Sequence, residues 1–444
     1  MSFQRYESYK NLKAEWLNEI PSHWNTEPCR GVLLERNERN DSLKNENYLS
    51  LMANVGVIPY EEKGDVGNKK PEDLSKCKHV YQGDLVINSM NYGIGSYGLS
   101  KYRGVCSPVY IVLKPRLDKI EERYAFRILE IKKFQQYAQS FGNGILEHRA
   151  SINWDILKTI ELPVPPIEEQ KNILKFLDDE ISKIDRLVIE QELLIRLLKE
   201  KRQAIISHTI TKGLDPTVKM KKSDVEWLGE IPHHWELKKL KFVADVIASN
   251  VDKKSYDGEL PCLLCNYTDV YYNEKIVEGM EFMSATATAE QVEKFSLRSD
   301  DVIITKDSES PNDIGIATYV PSDLNGVVCG YHLSIVRAHK LSGMFIKRLF
   351  DSNYLKSKFA VLANGLTRYG LGQHAINNIY LPVPPNDEQK LIVEFIDKTC
   401  FAIDELIKKS LSSINLLLER RSALIAEAVT GQIDVRNYKP KEVA

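Results

Sequence analysis

Few residues in this chain have the types and spacing that catalysis needs, and each candidate has a plainer structural role. Cys262-Leu-Leu-Cys265 has the spacing of a metal-ligand pair. A zinc site normally needs four ligands, and no second Cys or His pair matches it. Two cysteines buried in a strand are expected instead, with no metal. Glu169-Gln-Lys171 and Glu388-Gln-Lys390 resemble the Glu-x-Lys of nucleases. Both lie where long helices begin, and the helix dipole already favours acids in a first turn. Gly93-Ile-Gly95-Ser-Tyr-Gly98 fits a dinucleotide fingerprint by number. No convincing helix follows, and the phosphate site requires one, so a turn between strands is expected. There is no Walker phosphate loop. Pro165-Pro166 and Pro384-Pro385 follow valine, so they do not supply the Asn/Asp-Pro-Pro motif of adenine methylation. His23, His234, Trp24 and Trp235 read as packing and chain-direction residues. What remains is binding, with no catalytic residue and no cofactor held by this chain.

Composition sets the frame for binding. The 444 residues suit two to four folding units, and 43% hydrophobic with 27% charged residues is a foldable composition. Seven scattered cysteines, an odd number, fit a reducing compartment. Neither a signal-peptide core nor a membrane-spanning run is legible, so a cytoplasmic location is expected. The net charge of −2 means that any surface for a polyanion must be a local basic patch.

The elements that would carry such a surface are repeated. Trp16-Leu-Asn-Glu-Ile-Pro-Ser-His-Trp24 recurs as Trp227-Leu-Gly-Glu-Ile-Pro-His-His-Trp235. Leu162-Pro-Val-Pro-Pro-Ile-Glu-Glu-Gln-Lys171 recurs as Leu381-Pro-Val-Pro-Pro-Asn-Asp-Glu-Gln-Lys390. Ile184-Asp185 matches Ile403-Asp404, and Lys201-Arg202 matches Arg420-Arg421. Several long matches in one order identify a tandem duplication. Each copy opens with a mixed α/β part. Val80–Asn88, Gly104–Leu113, Asp301–Thr305 and Val327–Val336 read as strands, and 119–140 and 341–363 read as helical. A long helix then follows. Its apolar residues fall at Ile173, Leu177, Ile184, Leu187, Leu194, Leu198 and Ile205, and in the second copy at Ile392, Ile396, Ile403, Leu406, Leu417 and Leu424. This 4-3 spacing is a coiled-coil seam, interrupted at Gln191 and Ser410. Asn386 with Gln389 predicts a capping box, and Gly213 and Gly431 suit the helix ends. Pairing the two helices, antiparallel and related by a pseudo-twofold, buries both stripes.

Both repeated motifs, each in the same order and each followed by the seam, resemble the signatures of type I restriction–modification specificity subunits. The resemblance covers nearly the whole chain. It implies two target-recognition domains separated by two conserved helices, each domain reading half of a split, asymmetric DNA site. It also implies docking of two methylation subunits that use S-adenosylmethionine, and of two translocating nuclease subunits that would carry ATP and Mg. The corresponding boundaries are 1–165 and 216–384 for the recognition domains, 166–215 and 385–434 for the helices, and 435–444 for a tail. Two other readings remain at this stage: a coiled-coil adaptor that binds no nucleic acid, and the reader of a methylation-only system.

Base reading needs Arg for guanine and Asn or Gln for adenine, with Lys and Arg on phosphates. Polar loops just after strands supply Asn88, Ser89, Asn91 and Tyr92 in the first copy, with Lys101 and Arg103 in the next turn. The second copy supplies Lys306, Ser308 and Asn312 at the corresponding place. A second pair of loops precedes the proline motifs and supplies His148, Arg149, Arg368, Tyr369, Gln373 and His374.

Overall fold

The computed structural model describes residues 4–439 apart from 15, 42–46, 68, 142–150 and 227. Its backbone contacts divide into two compact units, Met1–Gln191 with Ser412–Ala444 and Glu192–Leu411. These units do not follow the linear boundaries expected from the sequence. Each takes one mixed α/β part together with half of each long helix.

In the first unit, a four-stranded antiparallel sheet runs in the order Leu33–Glu35, Tyr110–Pro115, Leu85–Asn88, Tyr97–Leu99. In the second, Ala244–Ala248, Leu333–Ala338, Asp301–Thr305 and Ala317–Tyr319 take the same order. Leu85, Val86, Ile87, Val302, Ile303 and Ile304 are all buried, so these central strands are covered on both faces. Three of the four expected strands are broken. A turn at 81–84 around Gly83 splits the first, one at 107–109 splits the second, and one at Tyr331-His332 splits the fourth. Both helical stretches are also broken. Ile131 and Ser352 adopt extended backbone, and the Ser352 hydroxyl caps the helix that follows by accepting from the Leu355 N–H.

The repeated motifs meet in space and clasp each other. The Leu-Pro-Val strand Glu161–Val164 pairs with Asn25–Pro28, just after the first tryptophan motif. Tyr380–Val383 pairs with Glu236–Lys239 in the same way. Glu169, in the first turn of its helix, accepts from Tyr6 Oη at 2.5 Å, contacts His23 Nε2 at 2.9 Å and accepts from Trp24 Nε1 at 3.0 Å. Glu388 repeats this with His234 at 2.8 Å and Trp235 at 3.0 Å. Both indoles are fully buried, so the carboxylate satisfies donors that water cannot reach. Gln170 donates to the carbonyls of Lys119 and Pro165. Gln389 donates to the Pro384 carbonyl and to Asn386 Oδ1, and its own oxygen accepts from the Ser342 N–H. The expected capping box is therefore not formed, because Gln389 is taken up by these contacts. Gly213 and Gly431 end the helices with φ of 78° and 75°, as expected.

The long helices run Ile167–Lys212 and Asn386–Val429. In the first unit, Ile173, Leu177, Ile181 and Ile184 share a core with Leu424, Ile425, Ala428 and Val429. In the second, Ile206 and Ile210 share one with Ile392, Ile396 and Cys400. The start of one helix meets the end of the other in both units, so the pairing is antiparallel. Equivalent ion pairs mark it: Asp185 with Arg421 at 3.3 Å, and Asp404 with Arg202 at 3.1 Å.

The stripe itself departs from the expected seam. Ile173, Leu177, Ile184, Ile392, Ile396, Ile403 and Leu424 are buried, whereas Leu198, Ile205 and Leu417 are half-buried. Leu187, Leu194 and Leu406 are exposed at 44%, 41% and 49%, whereas their neighbours Val188 and Ile407 are half-buried and Ile195 is buried. Ile173, Ile184, Ile195 and Ile206 are buried and spaced by eleven, and Ile392, Ile403, Ile414 and Ile425 have the same spacing, with Ile414 half-buried and the other three buried. Eleven residues in three turns stay close to the relaxed pitch of a helix, whereas a seven-residue repeat needs under-winding.

Candidate functional site

The second unit brings its two candidate loops together, and in the first the chain at Ile152 reaches the loop after the central strand. In the second, Asp307–Ser308 forms a short ladder with Tyr369–Gly370, and the Leu371 N–H donates to the Lys306 carbonyl at 2.8 Å. In the first, the Ile152 N–H donates to the Ser89 carbonyl at 3.0 Å. The same end of the same central strand thus carries a polar loop in both units, joined by the chain that precedes the proline motif. His148 and Arg149 lie outside the described residues.

The second unit presents the richer cluster. Lys306 Nζ lies 3.1 Å from Asp307 Oδ2 and 4.8 Å from the centre of the Tyr331 ring. His332 Nδ1 sits 2.9 Å from the same carboxylate oxygen. Arg368 and Asn312 are exposed, and Tyr369 is half-buried. Beside them, the short helix Tyr267–Tyr272 stacks Tyr267 on Tyr271 at 5.6 Å between ring centres. Tyr271 donates to Asp313, and this hydrogen bond to a carboxylate pushes its hydroxyl up to about 12. Tyr271 therefore stays a neutral donor at physiological pH. Tyr272 is 76% exposed, a flat apolar face beside charged groups.

Of the other expected contacts, Tyr92, Asn88 and Ser308 are buried, and the rest of the described ones are half-buried or exposed. Tyr92 is fully buried and donates to the Leu129 carbonyl, so it is a core residue and cannot reach a ligand. Asn88 is buried and its oxygen accepts from the Met90 N–H. Ser308 is buried, with its hydroxyl accepting from the Ser310 N–H. Gln373 is exposed, and its Nε2 donates to the Val246 carbonyl at 2.6 Å. His374 is exposed and contacts Asn378. Ser89 donates to the Val109 carbonyl, while Asn91 is half-buried. With Asn88, Asn91 lines a cavity of about 210 Å³ that also touches Tyr48, Ser50, Lys63 and Tyr110. Lys101 and Arg103 are exposed, and the Arg103 guanidinium sits 5.3 Å from the Tyr81 ring that Arg36 covers from 4.3 Å.

The glycines of the apparent nucleotide fingerprint have a packing explanation. A Cβ on Gly98 would lie 2.8 Å from Gly56 Cα, and one on Gly95 would lie 2.3 Å from Asn54 Oδ1. They let the 49–59 hairpin close on the sheet, in the turn between strands that was expected. Cys262 and Cys265 are buried in strand Leu260–Cys265.

Sequence reasoning missed His332, Asp307, Tyr331 and the Tyr267–Tyr272 helix. The last had a signal, three tyrosines within six residues of Asn266-Tyr-Thr-Asp-Val-Tyr-Tyr272. The His332–Asp307 contact joins separate strand ends and had none.

A profile of the type I restriction modification DNA specificity domain matches residues 38–194 and again 232–416, once in each copy. The type I restriction enzyme MjaVIII specificity subunit of Methanocaldococcus jannaschii is 25% identical over 391 residues, covering 86% of this chain and 87% of its own. Among solved structures, a chain from a study of complex assembly and conformational transition of the type I R-M system superposes with a TM-score of 0.71 at 14% identity, covering 93% of this chain and 99% of its own. The HsdS subunit from Thermoanaerobacter tengcongensis gives a TM-score of 0.53 at 14% identity, with 93% and 98% covered. With the profile present in both repeats and over most of its length, this chain belongs to the type I restriction–modification DNA specificity family.

Proposed function

We propose that this chain is the non-catalytic DNA reader and scaffold of a type I restriction–modification complex. Each unit reads one half of a split, asymmetric duplex site. The observation that carries this reading is the paired loops. They occupy the same strand end in both units but differ in sequence, Asn88-Ser-Met-Asn91 in one and Lys306-Asp-Ser-Glu309 in the other. A shared frame with different polar tips is what two different half-sites require. On this reading Lys101, Arg103, Lys306, Asn312, Arg368 and the 267–272 tyrosines face the DNA.

The helices and their outward apolar residues, Leu187, Leu194, Phe395 and Phe401 among them, dock two methylation subunits and, in the restricting form, two translocating nuclease subunits. Those partners bring S-adenosylmethionine, ATP and Mg, and they take out the target adenine from the duplex that this chain holds. Methylation-sensitive sequencing of a genome carrying the chain with its methylation partner tests the proposal. One split, adenine-methylated motif is expected. Methylation at unsplit sites, or none, would overturn it.

A further inference from the structure

Leu366 is the most exposed large apolar side chain among the described residues, at 96%. A lone exposed leucine is ordinary. The turn that carries this one is not. Asn364 and Gly370 close it with two backbone hydrogen bonds, of 3.1 and 2.9 Å. Gly365 has φ +154°, and a Cβ there would lie 1.9 Å from the Arg368 carbonyl oxygen, so only glycine permits this shape. The turn is anchored on Asp307–Ser308, beside Lys306 and His332. Leu366 is therefore held out from a built base, among polar and cationic groups, with exposed Arg368 two residues on. The first copy repeats the order Asn143-Gly144-Ile145 at the corresponding place, within segments that otherwise diverge.

Resting on the DNA-reading function above, we propose that Leu366 is an apolar wedge that enters the base stack of the half-site read by the second unit. A branched apolar side chain leaves water by inserting between base pairs, partly unstacking one step and bending the duplex. Such a wedge reads sequence without a hydrogen bond. Pyrimidine–purine steps open most readily, so they are preferred where it enters. Arg368 holds a phosphate beside the opened step.

The test uses the full complex with its methylation subunits and a duplex carrying the motif found by sequencing, with 2-aminopurine placed in turn along the half-site. Apart from the target adenine, which the methylation subunits take out of the stack, the wild-type complex should brighten one 2-aminopurine position. Leu366→Ala should lose that signal and bind this duplex about tenfold more weakly. Binding to a random duplex, the melting temperature and assembly with the methylation subunits should not change. Leu366→Met should restore both signal and affinity. Equal cognate binding by Leu366→Ala would overturn the wedge alone. So would weaker binding with the fluorescence unchanged, which would mark a groove contact, or a loss of subunit assembly, which would mark a protein partner. A wild-type complex that binds neither duplex would instead remove the DNA-reading function itself.

Discussion

At the scale of the residue, the clearest dependence is on Glu169. Its side chain is almost buried and serves Tyr6, His23 and Trp24 together. Truncation strands the Trp24 and Tyr6 donors in a dry site, and each unsatisfied donor costs about 1–3 kcal/mol. Glu169→Ala should lower stability by about 3 kcal/mol in urea unfolding, whereas an exposed change such as Lys171→Ala should stay within about 0.5 kcal/mol. Glu274 offers a second test. Lys347, with a side chain only 1% exposed, and Arg348 both contact it. Burial raises its carboxyl, but the attraction of Lys347 and Arg348 outweighs this and holds it at about 2. A depressed carboxyl contributes stability above its unfolded value of about 4.3, and that contribution is lost as pH falls toward 2. Glu274→Gln should therefore flatten the pH dependence of melting between these values. At neutral pH the loss should be on the order of 1 kcal/mol, because Glu274 is 54% exposed and solvent screens its pairs. An unchanged acid limb in the variant would rule this linkage out.

At the scale of the element, the eleven-residue spacing of isoleucines separates two accounts of the helices. If a seven-residue seam were buried, Leu187 would matter as much as Ile184. In the structure Ile184 is 4% exposed and Leu187 is 44% exposed. Ile184→Ala should cost about 2–4 kcal/mol through a cavity, and Leu187→Ala less than about 1 kcal/mol. Equal losses in thermal melts of the pair would restore the heptad. Leu187→Asp is expected to fold, and it asks another question. If the outward apolar face docks a methylation subunit, this variant should melt normally yet fail to co-purify with that partner.

At the scale of the whole molecule, a net charge of −2 gives no general attraction to DNA, so affinity must come from local contacts. Specific binding should then fall steeply with salt, with a logarithmic slope near −0.9 for each phosphate contacted. Binding that ignores salt would argue for an adaptor rather than a reader. Exchanging residues 216–384 for another reader should alter one half of the methylated motif and leave the other intact. A change in both halves would break the assignment of one half-site to each unit.

The sequence alone determined the duplication, the two helices with their starts and stops, and the class of the mixed α/β parts. Those features are local or recur, and a motif such as Leu-Pro-Val-Pro-Pro carries its backbone restriction wherever it occurs. It also marked the loops of 88–92 and 306–312, because polar runs after apolar strands are visible in one dimension, and the segment 365–374 by its glycines ahead of the proline motif. Which side chains in those loops face outward was decided only by the tertiary structure. Asn88, Tyr92 and Gln373 look as suitable as Arg368 in the sequence, yet backbone groups distant in the chain capture the tyrosine and the glutamine, and burial in its own turn takes the asparagine. The helix stripe shows the same division. Apolar residues at both 187 and 188, 194 and 195, and 205 and 206 leave the inward face open in sequence. The tertiary structure buries Val188, Ile195 and Ile206 more deeply than their neighbours, a spacing near the pitch of a relaxed helix.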